Sequence, residues 1–310
     1  MQESKPLFRP ILSIALVVST SDSERLGPAL IDLAAQDPVF SVITDRQTGA
    51  CVIRGSSERH LRSICDRISR EFLIDIRVGE PQVVFVETIR KASEAEGKYI
   101  RQTGGKGNYG HAKIRLEPNE TGKGVEFINE IKGGSIPNEY IKPIEHGIRE
   151  AALGGILAGY EVVDFKATLY DGSYHDIDSN EMAFKIAASL AFKEAARHAR
   201  PVILEPIMKF EFTVSERQRI PLIDAIRARR GEFNLVEHNA QGSLKMWAIA
   251  PLESMLGFDT PVPDAVSFIG YREKLRPDAG NNEGGTPVRN PRTPQPRIDS
   301  TTAEEDFDWT

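Results

Sequence analysis

The order of hydrophobic periodicities between residues 11 and 78 is the strongest constraint on what this chain can fold into. Ile11 to Val18 is an apolar run of strand length, and Glu24 to Gln36 then repeats apolar residues at Leu26, Leu30 and Leu33, the spacing of a helix lying on a sheet. Phe40 to Thr44 and Ala50 to Arg54 flank the turn residues Asp45, Gln47, Thr48 and Gly49, a hairpin pattern. His60 to Phe72 puts Leu61, Ile64, Cys65, Ile68 and Phe72 on one helical face, and a last strand, Ile74 to Val78, stops at Gly79 and Pro81. Strand, helix, two strands, helix, strand is the split βαβ order of a ferredoxin-like unit, so residues 1–80 are expected to form one such domain.

From Gln82 the pattern changes. A strand from Val83 to Ile89 is followed by a Gly-rich connection and an alternating run from His111 to Leu116, which opens a second domain, 81–203. Its helices are expected at Tyr140 to Ala152 and Asp178 to Arg200. Asp178 would cap the second with Glu181 three residues on, while Ala183, Ile186, Ala187 and Leu190 supply the buried stripe and Pro201 ends it. A second βαββ pattern then starts: strand Ile207 to Val214, helix Leu222 to Arg230, strands Phe233 to His238 and Leu244 to Ile249. Its second helix, Leu252 to Phe258, is short, and Pro261 and Pro263 interrupt the approach to a closing strand at Ala265 to Tyr271, so residues 204–275 are expected to be a trimmed domain. Residues 276–310 are rich in Pro, Gly, Asn, Thr and charge and are expected to be disordered. The fold class is α+β.

Composition narrows the function. Hydrophobic residues are 40% and charged residues 27% of 310, and no apolar stretch reaches the roughly 18 residues that a membrane-spanning helix needs. Ile11 to Val18 follows Lys5 and Arg9 but lacks an A-x-A-type cleavage site, so it reads as a strand and not as a signal core. Cys51 and Cys65 form neither a disulfide framework nor a C-x-x-C pair, which makes the cytoplasm the expected location. A net charge of −6 argues against a wholly RNA-coating surface, although the tail's seven acids and four arginines account for half of it.

Gly105 to Gly110 matches G-x-G-x-x-G, but that fingerprint needs a helix after the loop, and the run His111 to Leu116 alternates like a strand. It also fails as a P-loop, because His111-Ala112 stands where Lys-Ser/Thr would hold phosphate and magnesium. No cofactor, metal site or catalytic residue is expected. The loop instead joins strands and carries Arg101, Gln102, Gly104, Gly105, Lys106, Gly107, Asn108, Tyr109, Gly110 and His111: glycines expose backbone N–H groups, cations neutralise phosphate, and Tyr or His stacks on a base. The same residue types fit a hairpin loop that binds nothing. Gly172 to Ser179 holds Ser173, Tyr174, His175, Asp176 and Asp178 before a helix; capping is the plain reading, a His between carboxylates can serve acid–base chemistry, and a Tyr-His pair can meet RNA.

Arg101 to His111 and Gly172 to Ser179 closely resemble elongation factor G, as do Phe127 to Pro137, Leu157 to Asp164, Ala183 to Lys185 and Leu204 to Lys209. The resemblance covers most of residues 10–275. It implies the factor's domains three to five: ferredoxin-like, then a ribosomal-protein-like domain with a left-handed βαβ crossover, then ferredoxin-like again. It implies ribosome binding in translation, with loops Gly104 to His111 and Ser173 to Asp178 touching tRNA and mRNA at the decoding site and His175 as the tip histidine. The expected molecule is a monomeric, non-enzymatic module, with room for a separate GTPase acting in trans. The alternative is a degenerate or truncated paralogue without translocation activity.

Four departures from the family pattern stand out. The GTPase and second domains are not among these residues, Asn108 replaces the usual Gln, and Ser57-Glu58-Arg59-His60-Leu61 stands where the family has Gly-Glu-Leu-His-Leu. Gly257 to Asp264 replaces a longer helix and Gly-rich stretch that face large-subunit RNA, while Arg227, Arg229, Arg230 and Gly231 match an Arg-Arg-Gly run.

Overall fold

The computed structural model describes residues 9–44, 49–101, 107–238, 243–258 and 261–274. Among them the chain forms two compact units, residues 9–83 and 84–274.

The first unit contains β1 (Leu12–Val18), α1 (Thr20–Gln36), β2 (Ser41–Thr44), β3 (Cys51–Gly55), α2 (Glu58–Glu71), β4 (Ile76–Val78) and β5 (Gln82–Val83). The sheet order is β2-β3-β1-β4, with β5 also on β1 and every pairing antiparallel, which is the ferredoxin-like order that the periodicities imply. Leu12, Ile14, Leu16 and Ile53 from the sheet are buried, as are Leu26, Leu30 and Leu33 of α1 and Leu61, Ile64 and Ile68 of α2. Both helices begin earlier than the apolar pattern suggests. At α2 the reason is Ser57, whose hydroxyl accepts the His60 N–H at 3.1 Å and so starts the helix ahead of its first apolar residue.

The strand expected from Val83 to Ile89 is two strands in different sheets. β5 pairs with β1 in the first unit, whereas β6 (Val86–Ile89) pairs antiparallel with residues 201–204 in the second. An apolar run has no internal marker for such a change of partner, because the half-buried β5 and the buried β6 both use apolar residues.

The second unit continues with β7 (Ser93–Arg101), β8 (Asn108–Pro118), β9 (Val125–Asn129), a 3-10 turn at Asn138–Tyr140, α3 (Ile141–Leu153), β10 (Phe165–Ser173) and α4 (Glu181–His198). Its first sheet has the order β7-β8-β10-β9, antiparallel except for β9 and β10, which run parallel and are joined through α3. Ile114, Leu116, Phe165 and Leu169 of the sheet are buried with Ile144 and Ile148 of α3 and Phe184 and Phe192 of α4.

The buried face of α4 is mostly alanine: Ala183, Ala187, Ala188, Ala191, Ala195 and Ala196. Leu190, expected in that stripe, is 45% exposed. Small side chains let the helix lie close to the sheet. A Cβ on Gly97 would sit 2.0 Å from the Ala187 carbonyl oxygen, and one on Gly110 would sit 2.4 Å from that of Ala183, so both positions must be glycine.

The same unit holds a third sheet, from β11 (Pro201–Val214), α5 (Glu216–Arg227), β12 (Glu232–His238), β13 (Leu244–Pro251), α6 (Leu252–Met255) and β14 (Ala265–Glu273), in the order β12-β13-β11-β14 with β6 also on β11. This repeats the strand order of the first sheet with a four-residue second helix, as the prolines imply. Two arginines of the Arg-Arg-Gly run serve the fold: Arg230 makes two 3.0 Å bonds to the fully buried Glu205, and Arg229 lies 5.0 Å above the Phe258 ring.

Candidate nucleic-acid interface

Strand register brings the two loop motifs together at one end of the β7-β8-β10-β9 sheet. Ser173, the last residue of β10, is opposite His111 on β8, and Arg101, the last residue of β7, is opposite Asn108. The Tyr109 N–H donates to the Asp178 carbonyl at 2.8 Å, and Tyr109 and Ser179 form a parallel bridge. Gly104, Gly105 and Lys106 lie outside the described residues. Gly107, Asn108, Tyr109, Gly110, His111, Ser173, Tyr174, His175, Asp176 and Asp178 are all within one cluster.

Asp178 does not cap α4. Asn180 does, its side-chain oxygen accepting the Ala183 N–H at 2.9 Å, while its amide donates to Asn108 Oδ1 at 2.8 Å. The Asp178 carboxylate instead accepts the Gly107 N–H at 2.8 Å and so holds one loop to the other. The capping-box reading fails because the chain makes another turn before the helix: the His175 N–H donates to Ser179 Oγ at 2.9 Å and the Ser179 N–H returns to the His175 carbonyl at 3.0 Å. An Asn immediately before the Glu-Met-Ala-Phe run is the sequence signal for the true cap.

The candidate residues separate into outward and inward groups. Arg101, Tyr174, His175 and Asp176 are exposed, accompanied by Ile100 and Ile177, each 66% exposed. His111 is 8% exposed and sits between Ser173 Oγ, 2.8 Å from Nδ1, and Glu96 Oε2, 3.2 Å from Nε2. The Tyr109 hydroxyl is 2.7 Å from the same Ser173 oxygen. The rings of Tyr109 and His175 are 6.3 Å apart at 47°. Lys98, 3.1 Å from Glu96, and after it His111 hold the Glu96 carboxyl below its ordinary range. Glu96 escapes a reading of the sequence because β7 itself does: its inward positions are Ser93, Ala95, Gly97 and Tyr99, of which only Tyr99 is bulky, so no apolar alternation registers.

Away from the tip this sheet face is neutralised across strands, by Arg115 with Glu94 at 2.8 Å and Lys113 with Asp171 at 2.8 Å. Lys113 holds the Asp171 carboxyl down, and Asp171 in turn raises the Lys113 ammonium. Among the described residues no group of three or more His, Cys, Asp or Glu is placed to hold a metal ion, and no helix is long and apolar enough to cross a membrane. His175 has one carboxylate neighbour among them, Asp178 Oδ2 at 3.6 Å.

Comparison with known proteins bears on the family. Residues 8–80 match the family model for domain III of elongation factor G, and residues 81–200 match that for domain IV. A crystal structure of a Thermus thermophilus protein is similar over 88% of this chain, at 35% identity with a TM-score of 0.64. The chain spans 43% of that protein's length. With two consecutive domain models covering more than half of its residues in the family's own order, the chain belongs to the elongation factor G family.

Proposed function

We propose that this chain is a ribosome-binding module of the elongation factor G type, with domain boundaries near residues 80 and 203 and no nucleotide hydrolysis of its own. Its tip contacts RNA at the decoding site. The observation supporting this reading is the meeting of residues 107–111 with 173–178 at one sheet end, leaving Arg101, Tyr174, His175 and Asp176 facing solvent. The guanidinium offers a phosphate contact and the aromatic rings offer stacking. Lys106, just before the described strand β8, adds a second cation. Partners are rRNA, tRNA and mRNA, with a GTPase in trans as a further partner.

Pelleting of purified protein with ribosomes at several salt concentrations tests the proposal. Lys106→Ala is expected to weaken binding and flatten its dependence on log salt by about one unit, the signature of one lost phosphate contact. His175→Ala is expected to weaken binding with little change in slope, because a neutral imidazole releases few counterions. Failure of the parent chain to pellet would favour the degenerate-paralogue reading.

A further inference from the structure

The exposed apex of residues 174–177 is anchored on both sides, and on one side the anchor has a direction that a neutral His111 ring would set. Glu96, His111, Ser173 and Tyr109 form a chain of contacts at 3.2, 2.8 and 2.7 Å across three neighbouring strands. A carboxylate only accepts, so His111 Nε2 carries its hydrogen toward Glu96, and a neutral imidazole must then accept at Nδ1. The Ser173 hydroxyl is the donor to that nitrogen, which leaves the Ser173 oxygen to accept from the Tyr109 hydroxyl. The order is Tyr109 to Ser173 to His111 to Glu96. On the other side of the apex, Asp178 holds the Gly107 and Tyr109 N–H groups, each at 2.8 Å.

We propose that Ser173, His111 and Glu96 are positioning residues for the tip and not RNA contacts, an inference that rests on the ribosome reading above. Ser173 immediately precedes Tyr174 and His175, so fixing its hydroxyl fixes where those two side chains leave the sheet. His111 is too buried to meet a nucleotide, and all of its ring hydrogen-bonding capacity is already in use. A loop ordered before binding loses less freedom on binding, and that saving appears as affinity.

Nitrogen-15 NMR of the His111 ring is expected to show the neutral form protonated at Nε2 and bare at Nδ1; the opposite tautomer would overturn the proposal. Ser173→Ala is expected to raise hydrogen exchange about tenfold at the amides of His175 and Ile177 to Ser179, with the melting temperature nearly unchanged, and Ser173→Thr is expected to restore protection. Unchanged exchange overturns the brace. If Ser173→Ala does not fold, Glu96→Ala tests the same chain from its exposed end, where substitution removes no core. In ribosome pelleting, Ser173→Ala should lower affinity about tenfold in the parent and by much less in a His175→Ala background. Equal losses in both backgrounds would show that Ser173 acts independently of the apex. A parent that does not bind overturns the ribosome reading alone, because the tautomer and the exchange are read without ribosomes.

Discussion

The sheets of residues 12–83 and 201–273 share one strand order and differ in what covers them. The first carries helices of 17 and 14 residues, the other helices of 12 and 4. In the first, α2 alone contributes Leu61, Ile64, Cys65 and Ile68 to the core. In the other, α6 contributes Leu252 and Met255, and Val266 and Phe268 on β14 remain 49% and 46% exposed although they pair with the buried Phe210 and Met208. The difference teaches that this strand order is set by the pairings and not by helix cover. Each central strand has an additional partner, β5 on β1 and β6 on β11; where the second helix is short, the Glu205–Arg230 pair also ties β11 to the turn after α5.

The comparison breaks if the covered and uncovered strands turn out to be energetically alike. Ile68→Ala, at a fully buried α2 position, is expected to lower the stability of the first unit by about 3 kcal/mol in urea unfolding. Phe268→Ala deletes more atoms, yet it is expected to cost only about 1 kcal/mol, because half of that ring already faces water. Similar losses at the two positions would mean that β14 is covered in solution. The smallest effect is read from its disappearance in acid. At Asp37, burial pushes the carboxyl up, but the Val39 amide at 2.9 Å and His60 at 2.7 Å outweigh it and hold the group below its ordinary value of 3.8. A group with a depressed folded-state pKa stabilises fully above its unfolded value and loses that contribution as pH falls through the folded value. Melting temperatures of the first unit should therefore decline less steeply between roughly pH 5 and pH 2 in Asp37→Asn than in the parent, from a lower starting point. Parallel curves would remove Asp37 from the acid limb.

What is legible in the sequence follows from side-chain size. Leu61, Ile64 and Ile68 announce α2 because large apolar groups at helical spacing have few other uses. The tip motifs are legible because glycine, cation and aromatic residues cluster there. The existence of α4 is plain, and Ala183 and Ala187 of the expected stripe are buried, but the other packing alanines are not legible, since Ile186 and Leu190 look more core-like. β7 is hidden because its inward side includes Ala95 and Gly97, residues suited to closeness with α4 and not to apolar bulk. Asp178 and Asn180 compete for one local role, and only the fold shows that the Gly107 loop lies within reach of Asp178 and the helix within reach of Asn180.

The Glu87 side chain on β6 shows how firmly the second unit is closed. Its fully buried carboxylate accepts four backbone N–H groups, from Ile156 and Leu157 at 2.7 and 2.9 Å and from Ala158 and Tyr160 at 2.8 and 3.2 Å. Its backbone exchanges 2.8 Å bonds with Glu161 and Val163. Yet the ladder on the other side of β6 pairs Ile89 with Pro201, so every element from β7 to α4 lies within the loop that this ladder closes. During synthesis, β6 leaves the exit tunnel long before β11 exists. Its four residues must wait unpaired on that edge while an entire sheet and two helices are made, and closing so long a loop slows the final step. Completion of the β6–β11 ladder therefore waits for residues 201–204, and a nascent chain truncated before them should carry an open strand edge that other chains can reach.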